Sequence, residues 1–125
     1  MRARGFTLIE LLLVLVLVAL LASLVAPVVT GSIQRAREST LKADLYELRK
    51  AIDDHYADLG AYPAELDELV KKRYLRRIPV DPVTEKRDTW TLIRAEDDRA
   101  AGKGILDIRS GSQERASDGT YFKDW

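Results

Sequence analysis

RGFTLIELLLVLVLVALLASLVAPVV, residues 4–29, sets a single carboxylate, Glu10, at the head of a long apolar run. From Leu11 to Val29 the chain carries 19 residues without a charge, interrupted only by Ser23 and Pro27. As a helix that run extends roughly 28 Å, close to a hydrocarbon core of about 30 Å. Arg2 and Arg4 precede it and the first basic residue after it is Arg35, so the positive-inside bias keeps the N-terminus cytoplasmic and sends residues 31–125 across the membrane. An ionised Glu10 costs roughly 2.5 to 3.5 kcal/mol at a helix centre on insertion scales, and less near the end. It must therefore reach headgroup water or meet an opposite charge.

The 125-residue chain holds one modest domain beyond this segment. Outside Arg2, Arg4 and Glu10 there are 18 basic and 19 acidic residues, an ordinary solvated balance that invites neither nucleic acid nor a polycation. Cysteine is absent, which excludes disulfides and thiolate metal sites. A cleavable secretory signal fits poorly, because the apolar run is too long, contains a glutamate near its start, and spaces the small residues around Ala22–Ala26 wrongly for a cleavage site. A plain signal anchor fits better but leaves Gly5 and Glu10 without a role.

Gly5-Phe6-Thr7-Leu8-Ile9-Glu10 followed by an apolar helix resembles the processing segment of type IV pilins and type II secretion pseudopilins. The resemblance implies cleavage by a membrane prepilin peptidase between Gly5 and Phe6, N-methylation of Phe6, and pairing of Glu10 with the amine of a neighbouring subunit. Each assignment has a physical counterpart. Gly5 has no Cβ and suits a tight protease groove. The freed amine stays largely protonated near neutral pH, given a reference α-amino pKa of about 7.7 to 8.0. Glu10 lies one helical turn deeper, and an ion pair available at one axial offset fixes the register of packed helices. Pro27 removes a backbone donor and predicts a kink or locally unwound stretch. In the resembling family, a proline at this offset marks where the packed helix loosens, although such a proline is also tolerated in ordinary membrane helices.

Beyond Gly31, Leu41, Leu45, Leu48, Ile52, Tyr56 and Leu59 recur at helical spacing and form one stripe. One helix is expected from Phe6 to about Leu59, with Gly60 as its C-cap. A second follows from Ala64 to about Arg73, and the Ile78-Pro79 and Asp81-Pro82 steps force an extended connection. Trp90–Ala95 and Gly104–Arg109 read as antiparallel strands, with Leu106 and Ile108 sharing one face and Glu96–Lys103 holding the turn.

AIDDHYADLGAYPAELDELVKKRYLRRIPVDP, residues 51–82, resembles the corresponding region of the major pseudopilins and extends the likeness over roughly the whole chain. It implies an α+β, type IV pilin-like fold: a leader peptide at 1–5, a membrane and polymerisation helix at 6–30, and a periplasmic domain at 31–125. It also implies a calcium site in the C-terminal loop, for which Ser110, Asp118 and Asp124 are the positional candidates, with Asp107 behind them. Against this, Asp118-Gly119 alone reads as a polar turn. No other cofactor is expected. His55 has no second histidine or cysteine beside it and reads as a polar residue flanking the helix stripe. No nucleophile or phosphate-cradling motif is present, so no enzyme is expected.

The function so implied is that of a structural subunit, anchored by one span in the inner membrane and polymerised into a periplasmic pseudopilus that drives export across the outer membrane. Its expected partners are further copies of itself, other pseudopilins, the prepilin peptidase and the secretion platform of the inner membrane. The alternatives are a type IV pilin or minor pilin and, from another class, an anchored periplasmic binding domain that never polymerises.

Overall fold

The computed structural model describes residues 4–95 and 104–125. Helix α1 spans Leu8–Leu59, helix α2 spans Leu66–Lys71, strands β1 and β2 span Thr91–Arg94 and Ile105–Arg109, and a 3₁₀ turn covers Phe122–Asp124. The chain divides into two compact units, residues 1–35 and 36–125. This is the α+β, pilin-like arrangement of a long N-terminal helix and a small antiparallel sheet. The expected Glu96–Lys103 turn lies outside the described residues.

In the first unit, α1 remains helical through Pro27. Pro27 cannot donate to the Ser23 carbonyl. The hydroxyls nearby turn back on the main chain instead: Ser23 donates to the Leu20 carbonyl at 2.7 Å, Thr30 to Ala26 at 2.6 Å and Ser32 to Val28 at 3.0 Å. Back-bonding of this kind satisfies hydroxyls that lipid cannot hydrate.

In the second unit, Leu41, Leu45, Leu48 and Ile52 are buried as the spacing predicts. The stripe then continues to His55, which is 2% exposed, while Tyr56 and Leu59 are 40% and 51% exposed. After Ile52 the face steps by three residues, and the imidazole takes the place expected of an apolar side chain. Its Nδ1 lies 2.7 Å from the Ala61 carbonyl, and its ring meets Tyr74 edge-on at 5.5 Å. Since a carbonyl only accepts, Nδ1 carries the hydrogen. Tyr56 instead stacks on Tyr62, with ring centroids 4.4 Å apart.

Gly60 ends α1 in the left-handed region at φ 69°, donating its N–H to the Tyr56 carbonyl at 2.8 Å, a C-cap for which glycine has no Cβ penalty. Helix α2 is shorter than the periodicity predicts because Arg73 takes φ 66°. Arg73 and Tyr74 then donate to the carbonyls of Val70 and Leu69 at 3.1 and 2.9 Å, a Schellman closure built on a non-glycine residue. Leu69 is fully buried, with Leu66 and Val70 packed against the same core.

The strands pair Thr91 with Arg109, Leu92 with Ile108, Ile93 with Asp107, and Arg94 with Ile105. Leu106 is left over as a bulge, and a bulge inverts the alternation beyond it. Ile105 and Ile108 are therefore both fully buried while Leu106 is 44% exposed, correcting the expectation that Leu106 and Ile108 share a face. Trp90, just before β1, is buried and donates its indole N–H to the Pro79 carbonyl at 3.0 Å. Asp81 is also fully buried. Its Oδ1 accepts the Val83 and Thr84 N–H groups at 2.8 and 3.3 Å and its Oδ2 accepts the Ser110 hydroxyl at 2.6 Å.

Glu68 joins the start of α2 to its end. It accepts the Lys72 ammonium at 2.7 Å and the Ala64 N–H at 2.8 Å, and its carboxylate lies 3.4 Å from His55 Nε2. The Lys72 hydrogen bond, followed by that of the Ala64 N–H, holds the Glu68 carboxyl down from the ordinary 4.5 to about 2. A depressed folded-state carboxylate contributes stability above its unfolded value and loses it as pH falls toward the folded one. Glu68→Gln should therefore flatten the fall in melting temperature between about pH 4.5 and 2 in an acid titration followed by circular dichroism.

Candidate functional site

Arg4 to Thr7 precede the helix, and α1 begins at Leu8. The first turn is closed reciprocally. The Glu10 N–H donates to the Thr7 hydroxyl at 3.2 Å, and the Thr7 N–H donates to Glu10 Oε2 at 3.5 Å. Leu11 N–H meets the Thr7 carbonyl at 3.2 Å as the first helical bond. Thr7-Leu8-Ile9-Glu10 is thus a capping box, in which a hydroxyl and a carboxylate three residues apart satisfy donors that a helix start leaves open. The negative charge also sits at the positive end of the helix dipole. Sequence reading passed over Thr7, although threonine followed three residues later by glutamate before an apolar run is a recognisable N-terminus signal.

The neighbours of this box are bare. Phe6 is 85% exposed. A Cβ placed on Gly5 would meet nothing within 4 Å, and Gly5 lies outside the left-handed region. Glycine at that position is therefore not demanded by the folded chain. Every large apolar side chain from Leu8 to Val29 is exposed. With each buried Leu or Val worth about 1.5 to 3 kcal/mol, such a surface requires lipid or apposed helices to cover it. The helix is long and apolar enough to cross a membrane.

The residues proposed for calcium are engaged separately. Ser110 is fully buried, donates to Asp81 and accepts the Ser112 N–H at 3.2 Å. Asp118 is exposed and caps its own turn, accepting the Thr120 hydroxyl at 2.6 Å and N–H at 3.0 Å. Those two bonds, the hydroxyl first, hold its carboxyl below the usual range. Asp124 lies exposed in the 3₁₀ turn. Among the described residues, no group of three or more His, Cys, Asp or Glu is placed to hold a metal ion. The Ser110 oxygen thus donates to Asp81 and accepts from Ser112, while both bonds to Asp118 fall on its Oδ1.

The comparisons with known proteins bear on the same segment. The family described as the prokaryotic N-terminal methylation motif matches residues 1–26. The chain is 36% identical to the type II secretion system core protein G of Pseudomonas aeruginosa over 62% of this chain and 66% of that protein. It is 35% identical to the Dickeya chrysanthemi protein of the same name, over 65% and 63%, and 35% identical to that of Klebsiella pneumoniae, over 65% and 69%. The match thus spans slightly less than two thirds of the Pseudomonas and Dickeya relatives. No solved structure gives a match.

Loss of a threonine N-cap costs about 1 kcal/mol, roughly a fivefold change in local opening. Thr7→Ala should accordingly speed amide hydrogen exchange at Glu10 and Leu11 about fivefold in detergent micelles, with residues beyond Val14 unaffected.

Proposed function

Because the chain belongs to the type II secretion system core protein G family, we propose that it is the structural subunit of a periplasmic pseudopilus and acts by polymerising, not by catalysis. In this reading residues 1–5 are the leader, residues 6–30 the membrane and polymer helix, and residues 31–125 the periplasmic domain. Prepilin peptidase cuts between Gly5 and Phe6 and methylates the Phe6 amine. Subunits then leave the inner membrane from the secretion platform, joining copies of themselves and other pseudopilins, and the growing filament drives exported proteins toward the outer membrane.

The observation that carries this reading is the segment Gly5–Glu10. A glycine that the fold does not need is explained by an outside groove that does need it. Glu10 presents its carboxylate at the very head of the helix, where one oxygen takes a long hydrogen bond from Thr7. The other accepts nothing among the described residues and can meet a cationic amine from an adjacent subunit. The charge-assisted contact is stronger than the neutral one it supplements. Apolar exposure from Leu8 to Val29 supplies the surface that such subunits share, first with lipid and then with one another. Pro27, with its missing donor, is the place where the helix loosens on polymerisation.

Two measurements test this. Mass spectrometry of protein purified from membranes should find a chain beginning at N-methylated Phe6. A chain beginning at Met1 or Arg2 would favour an anchored domain that never polymerises. Glu10→Gln keeps an acceptor for the Thr7 N–H but removes the charge, so it should insert and be cleaved normally while filament yield falls at least tenfold, a step of about 1.4 kcal/mol. Filament yield equal to the parent's would reduce Glu10 to a helix cap.

A further inference from the structure

Residues 110–125 close over the second unit through two side chains of α1. Glu38, 9% exposed, receives the Ser117 N–H at 2.6 Å on Oε1 and the Ser117 hydroxyl at 2.7 Å on Oε2. Arg49 gathers three oxygens. Its Nε donates to Asp107 Oδ1 at 2.8 Å, and its Nη2 donates to the Ile108 carbonyl at 3.0 Å and to the main-chain oxygen of Trp125 at 2.7 Å. Between these points Phe122 is fully buried. Trp125 packs edge-on against Phe122 at 5.0 Å, donates its indole N–H to the Thr120 hydroxyl at 2.8 Å, and lies under the Lys42 ammonium at 4.8 Å.

A carboxylate, a main-chain carbonyl and a further main-chain oxygen are the oxygen types by which a hard divalent cation draws a loop together. Here a guanidinium holds them. Its planar fork donates in fixed directions and accepts nothing. Of the candidates for a cation, Ser110 is buried and bonded to Asp81 and Ser112, Asp118 holds its own turn through Oδ1, and Asp118 and Asp124 belong to no group of three or more His, Cys, Asp or Glu placed for a metal among the described residues. We propose that Arg49 is the resident cation of the C-terminal segment, that Glu38 is its second clasp, and that the segment closes on α1 without calcium or any other divalent ion. The argument concerns the folding of residues 36–125 and is independent of whether the chain polymerises.

The test uses the full chain in detergent micelles. Its melting temperature should agree within about 2 °C between excess calcium chloride and excess EGTA, less than the shift that 1 kcal/mol of added stability gives a domain of this size. A larger rise with calcium overturns the proposal. Trypsin cleavage after Lys123, followed by mass spectrometry, reads the opening of the tail. Arg49→Gln, which keeps length but loses charge and fork, should raise the rate of that cut about tenfold, equally with calcium and with EGTA. An unchanged rate overturns the role of Arg49, and calcium-dependent restoration of the parent's rate overturns the absence of a cation site. The calcium comparison on the parent chain needs no variant to fold, and Glu38→Gln provides a second, milder opening with the same expected indifference to calcium.

Discussion

A two-stranded hairpin does not hold itself together in water, so this domain stands on one surface, the face of α1 formed by Leu41, Leu45, Leu48 and Ile52. Those side chains form one cluster with Leu69 of α2, Leu75, Trp90, Ile105 and Ile108 of the hairpin, and Phe122 of the tail. Among the described residues every other element is too short to bury a core alone: α2 has six residues and the strands four and five. Without cysteine, no covalent link relieves that dependence. The bulge at Leu106 belongs to the same economy, since it turns a second isoleucine inward from a strand of five residues.

Polar groups complete what the apolar face begins, and each sits where its desolvation is repaid by several partners. Asp81 is fully buried, yet it receives two main-chain N–H groups and a hydroxyl. Arg49 reaches β2 and Trp125 together. Two glutamates of α1 show how environment assigns a role. Glu10 is exposed and closes a helix end, while Glu38 is nearly buried and docks a distant serine. The Gly111 backbone passes so close to the Thr89 carbonyl that no side chain fits between them, and this narrows the path by which the chain leaves β2 toward Ser112.

Much of the fold was legible because its signals are local and periodic. The uncharged run, the i, i+4 spacing of Leu41 and Leu45, Gly60 and the prolines of residues 79 and 82 each constrain the backbone within a few residues. The motif at the chain's head was legible for the same reason, as six consecutive residues within the matched methylation motif. What escaped was non-local or turned on a single step. His55 entered the core because the helical face advanced by three residues where four kept an apolar side chain in line. The bulge at Leu106 is invisible to a strict alternation of period two. Arg73 adopts a backbone region that favours glycine, so no residue type announced the end of α2. Glu38 and Arg49 find their partners 79 and 76 residues away, and nothing in their immediate neighbourhood distinguishes them from solvated charges of the same helix. Thr7 is the exception, a local helix-start signal three residues ahead of its carboxylate partner.

The long reach of Glu38 and Arg49 also sets a schedule. Helical contacts form between neighbours, but these two side chains can be satisfied only when Ser117 and Trp125 arrive, and loops of such length close late. A chain made from its N-terminus onward would therefore hold α1 ready, with its apolar face uncovered, until residues 117 and 125 had followed. During that interval the nascent domain is at its most vulnerable to proteases and to adhesion, and residues 117–125 act as the latch that ends it.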